Sequence, residues 1–162
     1  MAETLGSLCD KLTIVRLKQW HSTASGRLES LAQQLGDLEA EIDSFVANAV
    51  TGKVPISQLK FDANKVYRKA DHTLGEFAGG LGCMVSQLAE VNCALWHQQE
   101  KIYDFARVPA AQKNGTIKRL AVLNLERNRC IETIDELFRD KIVAMNPKSA
   151  RRAAAKGRKG KP

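Results

Sequence analysis

Residues 28–45 read LESLAQQLGDLEAEIDSF, and within them Leu28, Leu31, Leu35, Leu38, Ile42 and Phe45 recur at alternating steps of three and four. That spacing puts all six on one face of an α-helix. A second seam of the same kind runs through Phe77, Leu81, Met84, Leu88, Val91 and Leu95. A third stripe, Leu120, Leu123, Cys130, Ile134 and Leu137, lies in a helix expected from Thr116 to Met145. The expected class is all-α. Composition agrees, since aromatic residues make up only 6% and Leu, Ala, Lys, Glu, Gln and Arg are plentiful, a mixture that favours helix over sheet.

Working outward, Pro55, Pro109 and Pro147 punctuate the chain, because proline inside a helix removes a hydrogen bond and clashes with the preceding turn. Thr4 is suited to cap a first helix carrying Leu5, Leu8, Leu12 and Val15 and ending near Trp20 and His21. Ser22 to Gly26 reads as a break. Ser57 to His72 is weakly periodic and reads as a short helix or ordered connector. Thr73 and Glu76 have the spacing of a capping box, which predicts a helix beginning at Thr73.

The chain also repeats itself. Leu12, Val15, Trp20 and His21 share their spacing with Leu88, Val91, Trp96 and His97, while Arg27, Leu28, Leu31, Ile42 and Asp43 match Arg119, Leu120, Leu123, Ile134 and Asp135. Two duplicated αα-hairpins packing as a four-helix bundle follow, with Leu31, Leu38, Leu88, Val91, Leu95, Leu123 and Ile134 expected to share one core. The bundle spans 1–146: hairpin one at 4–50, a connector at 51–72 and hairpin two at 73–146. A basic tail occupies 147–162, and its composition predicts disorder.

The net charge of +7 has a definite address. Lys148, Arg151, Arg152, Lys156, Arg158, Lys159 and Lys161 stand in the tail with no acid among them. Setting those seven aside leaves 18 of the 25 Lys and Arg, equal to the 18 Asp and Glu. A charge-driven partner, nucleic acid first, is expected at the tail. Cys9, Cys83, Cys93 and Cys130 are far apart and form no Cys-x-x-Cys pair, so buried thiols are expected. No apolar run approaches a membrane span, and residues 1–10 lack the basic start of a secretory signal, so a cytoplasmic location without a membrane partner is expected. Homo-oligomerisation is left open.

Polar residues cluster in the second hairpin: Asn92, Trp96, His97 and Glu100 on one helix, Asn124, Arg127, Asn128, Glu132 and Asp135 on the next. These are the candidate ligand-binding residues. Arg127 is the sharpest signal, because an arginine on an apolar stripe requires an anion beside it. Glu100, Asp104 or an acid across the bundle is the expected partner, making a structural ion pair, with a bound anion as the alternative. Trp20-His21 and Trp96-His97 can either pack in the core or form an aromatic and imidazole platform for a ring-shaped ligand. Cys93, His97 and Glu100 have a spacing that permits zinc ligation but lack a second Cys or His pair. Glu132, Asp135 and Glu136 fall short of the converging carboxylates that magnesium needs. Phosphate-loop, nucleophile-elbow and Glu-x-x-His patterns are absent. No catalytic residue, metal or cofactor is assigned.

The set Asn124-x-x-Arg127-Asn128-x-x-Ile131-Glu132-x-x-Asp135, with Val91-Asn92-x-x-Leu95-Trp96-His97-x-x-Glu100-Lys101 and the segment Thr4 to His21, resembles a family of uncharacterised all-helical proteins of bacteria and tailed phages, some encoded near glycosyltransferases. The resemblance covers roughly Thr4 to Phe138 and implies the helical fold and the polar cluster rather than an activity. Arg16 stands where the second copy has Asn92, which argues against two symmetric sites. The expected function is a non-enzymatic binding or accessory protein touching nucleic acid through its tail. The alternatives are an enzyme acting on a nucleotide or sugar-nucleotide at Glu100, Arg127, Glu132 and Asp135, and a structural subunit of a phage particle or bacterial assembly.

Overall fold

Thr4 starts the first helix by accepting a hydrogen bond from the Ser7 backbone N–H, while the Ser7 hydroxyl accepts from the Thr4 N–H. This reciprocal cap satisfies two otherwise orphaned donors and opens α1, Leu5–Trp20. The computed structural model describes residues 3–61 and 79–147. After a short break comes α2, Ser25–Val50, then a 3-10 turn at Ile56–Gln58. The second hairpin consists of α3, Leu81–Tyr103, and α4, Ala110–Met145, joined through a 3-10 turn at Phe105–Arg107. Every regular element among the described residues is helical, so the all-α expectation holds. No helix among them is long and apolar enough to cross a membrane.

Two boundaries differ from expectation. The last helix starts at Ala110, six residues before Thr116, because Pro109 caps it in extended conformation and a proline there leaves the first turn free of clash. Gly115 is carried inside the helix. The helix expected from Thr73 does not run into α3: Gly79, at φ +129°, adopts a backbone that L-residues avoid, and Gly80 caps α3 instead. Thr73, Glu76 and Phe77 lie outside the described residues, as do residues 62–72 of the connector and the basic side chains of the tail. Of the connector, Leu59 is fully buried and plugs the base of the bundle.

α1 is the central helix, touching each of the other three. The main core joins Leu5 and Cys9 of α1, Ala49 of α2, Met84 and Leu88 of α3, and Cys130, Ile134, Phe138 and Ile142 of α4, with Val91 packed against it. A separate cluster holds Val15, Leu31 and Leu35, with Leu12 and Leu38 at its edge. The seven expected core residues therefore do not share one core. Leu88 and Ile134 belong to the first cluster and Leu31 to the second, while Leu95 and Leu123 are buried outside both. The division follows α2: its first half supplies Leu31, Leu35 and Leu38 to the cluster it shares with α1, whereas its second half reaches α4, as in the Phe45–Phe138 ring contact at 6.1 Å. Cys9 and Cys130 are buried, and desolvation raises both thiols to about 11. Cys83, by contrast, is exposed and Cys93 half-buried, since both fall off the α3 seam.

Leu88 is fully buried in the main core, whereas Leu38 sits at the rim of the smaller cluster. Leu88→Ala is expected to cost about 2–5 kcal/mol, as a cavity in a packed core does, and Leu38→Ala less than half as much. Urea unfolding of both variants checks this, and equal losses would contradict the two-cluster core.

Candidate functional site: a buried polar network and an aromatic end

The Arg127 side chain projects from the middle of α4 toward α1, where it meets Asp10. Its Nε donates to Asp10 Oδ1 at 2.7 Å, and its Nη2 donates to Oδ2. Asp10 is only 5% exposed and the Arg127 side chain 30%, so the carboxylate is withdrawn from water while the guanidinium keeps part of its hydration. From α3, Asn92 Nδ2 donates to Asp10 Oδ1 at 2.9 Å and to Thr13 Oγ1 at 2.7 Å, and the Thr13 hydroxyl donates to the Asp10 carbonyl at 2.9 Å. Three helices thus converge on one carboxylate. The hydrogen bonds to Asp10, helped by the charge of that carboxylate, in turn lift the Arg127 pKa above its ordinary value, against the opposing effect of burial.

Of the expected partners of Arg127, the structure supplies the acid across the bundle, Asp10 of α1, and not Glu100 or Asp104. Glu100 stands eight residues beyond Asn92 on α3, about 12 Å along the axis. There its carboxylate accepts from Trp96 Nε1 at 3.0 Å and pairs with His97 Nδ1 at 3.3 Å, and the hydrogen bonds from His97 and then Trp96 hold its pKa below the usual range. Asp104, further on, pairs with Arg107 at 3.1 Å. Arg16, the first-hairpin counterpart of Asn92, is exposed and pairs with Glu39 at 3.2 Å, so the duplication does not produce a second network.

One more buried carboxylate ties α4 to α1. Asp135 Oδ1 accepts the Gly6 backbone N–H at 2.7 Å at the start of α1, and the Thr4 side chain also bonds this carboxyl. A Cβ on Gly6 would overlap the Ile131 carbonyl oxygen, so only glycine lets the two helices approach this closely. Burial raises Asp135 to about 6, outweighing the Gly6 and Thr4 hydrogen bonds that act the other way.

Of the remaining candidates, Asn124 donates to the Leu120 carbonyl at 3.0 Å within α4, Asn128 is half-buried, and Glu132 lies 4.0 Å from Arg129. Glu136 pairs with Lys60 of the connector. Glu100, Arg127, Glu132 and Asp135 thus each have a partner of their own: Glu100 has Trp96 and His97, Arg127 has Asp10, Glu132 has Arg129, and Asp135 has Gly6 and Thr4. Among the described residues, no group of three or more His, Cys, Asp or Glu is placed to hold a metal ion.

The duplicated Trp-His pairs do meet. His21 stacks on Trp96 with ring centroids 4.9 Å apart and planes 16° apart, and His97 meets His21 edge-on at 6.1 Å. Trp20, which ends the α1 seam, is 88% exposed and is not core. Sequence reading missed Asp10 and Thr13. The signal available was the run Gly6, Asp10 and Thr13 at helical spacing, a second and polar stripe beside the leucine seam of α1.

Because the fold favours neutral Asp135, the stability it contributes is full below about 3.8 and is lost as pH rises through about 6. Asp135→Asn keeps an acceptor for Gly6 and removes that loss. Relative to wild type, the variant is expected to gain on the order of 2 kcal/mol between about pH 4 and about pH 7. Paired melting curves across that range provide the check, and a variant that loses ground as pH rises would contradict the assignment.

No family model, curated protein or solved structure matches the chain, and the roles of these residues rest on their own geometry.

Proposed function

We propose that the chain is a non-enzymatic accessory protein, a helical bundle that holds nucleic acid through its basic C-terminal segment. The observation that carries this reading is the placement of charge: all of the formal +7 is accounted for by seven Lys and Arg at 148–161, after a body in which basic and acidic residues balance. Such a segment neutralises phosphates without reading bases. α4 ends at Met145, and the Asn146 side chain donates to the Val50 carbonyl at 3.2 Å, which ties the point of departure to the end of α2. An enzymatic reading draws no comparable support, since its four polar residues are separately engaged along the bundle.

Replacing Lys148, Arg151, Arg152, Lys156, Arg158, Lys159 and Lys161 by glutamine tests the proposal in the full-length chain. Wild type is expected to bind duplex DNA with a log-log salt slope of roughly −5, as for about six phosphates neutralised. The substituted chain is expected to keep its melting temperature and lose most of that affinity and slope. Unchanged affinity and slope would overturn the proposal.

A further inference from the structure

The described residues carry 15 Lys and Arg and 15 Asp and Glu, so they are neutral in sum. They are not neutral end to end. The contacts of His21 with Trp96 and His97 bring the end of α1 beside the end of α3, and the short connections put the start of α2 and the start of α4 at the same end. Residues 18–29 and 97–119 make up this end, with seven Lys and Arg against three Asp and Glu. The rest of the described chain is correspondingly acidic, and Asp37, Glu39, Glu41 and Asp43 form an exposed run on α2.

The same end displays aromatic rings. Trp20 is 88% exposed and Tyr103 81% exposed. Trp96 and Tyr103 stand seven residues apart, on one stripe of α3 and about 10 Å apart along its axis, or about three nucleotide rises of 3.4 Å. Two of the three acids here are already engaged, Glu100 by Trp96 and His97 and Asp104 by Arg107. Lys18, Arg27, Lys101 and Lys118 belong to the same end, and no carboxylate among the described residues closes off their charge with an ion pair.

Exposed rings set among lysines and arginines are the chemistry that holds a flexible polyanion carrying planar groups. Bases in a duplex have their faces covered by their neighbours, whereas unpaired bases can stack on an aromatic side chain. A small ligand would ordinarily be enclosed over most of its surface, and rings as open as Trp20 and Tyr103 enclose nothing. We propose that this end of the bundle binds single-stranded nucleic acid, its unpaired bases stacking on Trp20 and Tyr103 and its phosphates held by Lys18, Arg27, Lys101 and Lys118. The inference deepens the nucleic-acid reading above by naming the strand form, but it stands on a different surface, at the opposite end of α4 from the tail.

The experiment measures binding of the full-length chain to a labelled single strand of about 16 nucleotides and to a duplex of the same length. Trp20→Ala and Tyr103→Ala are each expected to weaken single-strand binding about 5- to 150-fold, the range found for removal of a stacking ring, with duplex binding and melting temperature unchanged. Trp20→Phe, which keeps a ring, is expected to retain most of the affinity. Glutamine substitution of the tail is expected to weaken both nucleic acids alike. If the tail variant binds as wild type while the alanine variants lose the single strand, the tail reading fails and this one stands. Single-strand affinity unchanged in both alanine variants, or lost in step with duplex affinity, would overturn it.

Discussion

A carboxylate buried between helices must be paired, because an isolated charge in a protein interior costs several kcal/mol. Asp10 meets that demand from two directions, with Arg127 of α4 occupying both of its oxygens and Asn92 of α3 occupying one of them. Each of these bonds fixes where along its axis a neighbouring helix can sit against α1. A slide of one turn, about 5.4 Å, would leave Asp10 and Arg127 both unpaired. Apolar seams tolerate such slides far better, since leucine contacts leucine at many registers. The network therefore selects one arrangement out of several that the hydrophobic pattern permits. The second tie, Asp135 on the Gly6 N–H, lies two turns further along α4 and agrees with the same register. With α1 fixed in this way, the ends of α1 and α3 come together and the two Trp-His pairs meet.

Much of the fold was legible because it follows from spacing. The α2 seam, the Thr4 cap and the first hairpin appear where periodicity and capping chemistry put them. The need of Arg127 for a carboxylate was legible too, for the desolvation of a guanidinium is a property of the residue. Which carboxylate it finds was not. Glu100 and Asp104 lie close in sequence on the neighbouring helix, but a long-range partner depends on helix register, and register is a property of the assembled bundle. Asp10 also stands on a helix whose leucines mark one buried face, and its second stripe, buried Gly6 and Asp10 with half-buried Thr13, is polar and small and gives no apolar signal. The start of α4 was misplaced for a related reason: local cost at Gly115, about 1 kcal/mol relative to alanine, is smaller than what a helix capped by Pro109 and packed on its neighbours recovers. Of the candidate site residues, the sequence brought together those that share a helix, Trp96, His97 and Glu100, whereas Arg127 and Asp135 were drawn to α1 by contacts more than a hundred residues away.

Charge adds a level of organisation that summed counts conceal. A body with equal numbers of acids and bases can still present a positive end and a negative flank, and long-range steering responds to that distribution rather than to its total. Here the positive end coincides with exposed aromatic rings, and the basic tail departs from the other end of α4. A polyanion would meet two surfaces of different character, one a run of basic residues indifferent to strand form, the other an array of rings selective for unpaired bases. The polar network between them is then scaffold: it holds α1 and α3 in the register that assembles the ring-bearing end.

A double-mutant cycle on Asp10 and Arg127 tests that account most directly. Arg127→Met strands the Asp10 carboxylate and is predicted to cost about 3–5 kcal/mol, while Asp10→Asn together with Arg127→Met removes the stranded charge, keeps an acceptor for Asn92, and is predicted to recover most of that loss. Costs that simply add in the double variant, to within about 0.5 kcal/mol, would contradict the claim that this pair fixes the bundle.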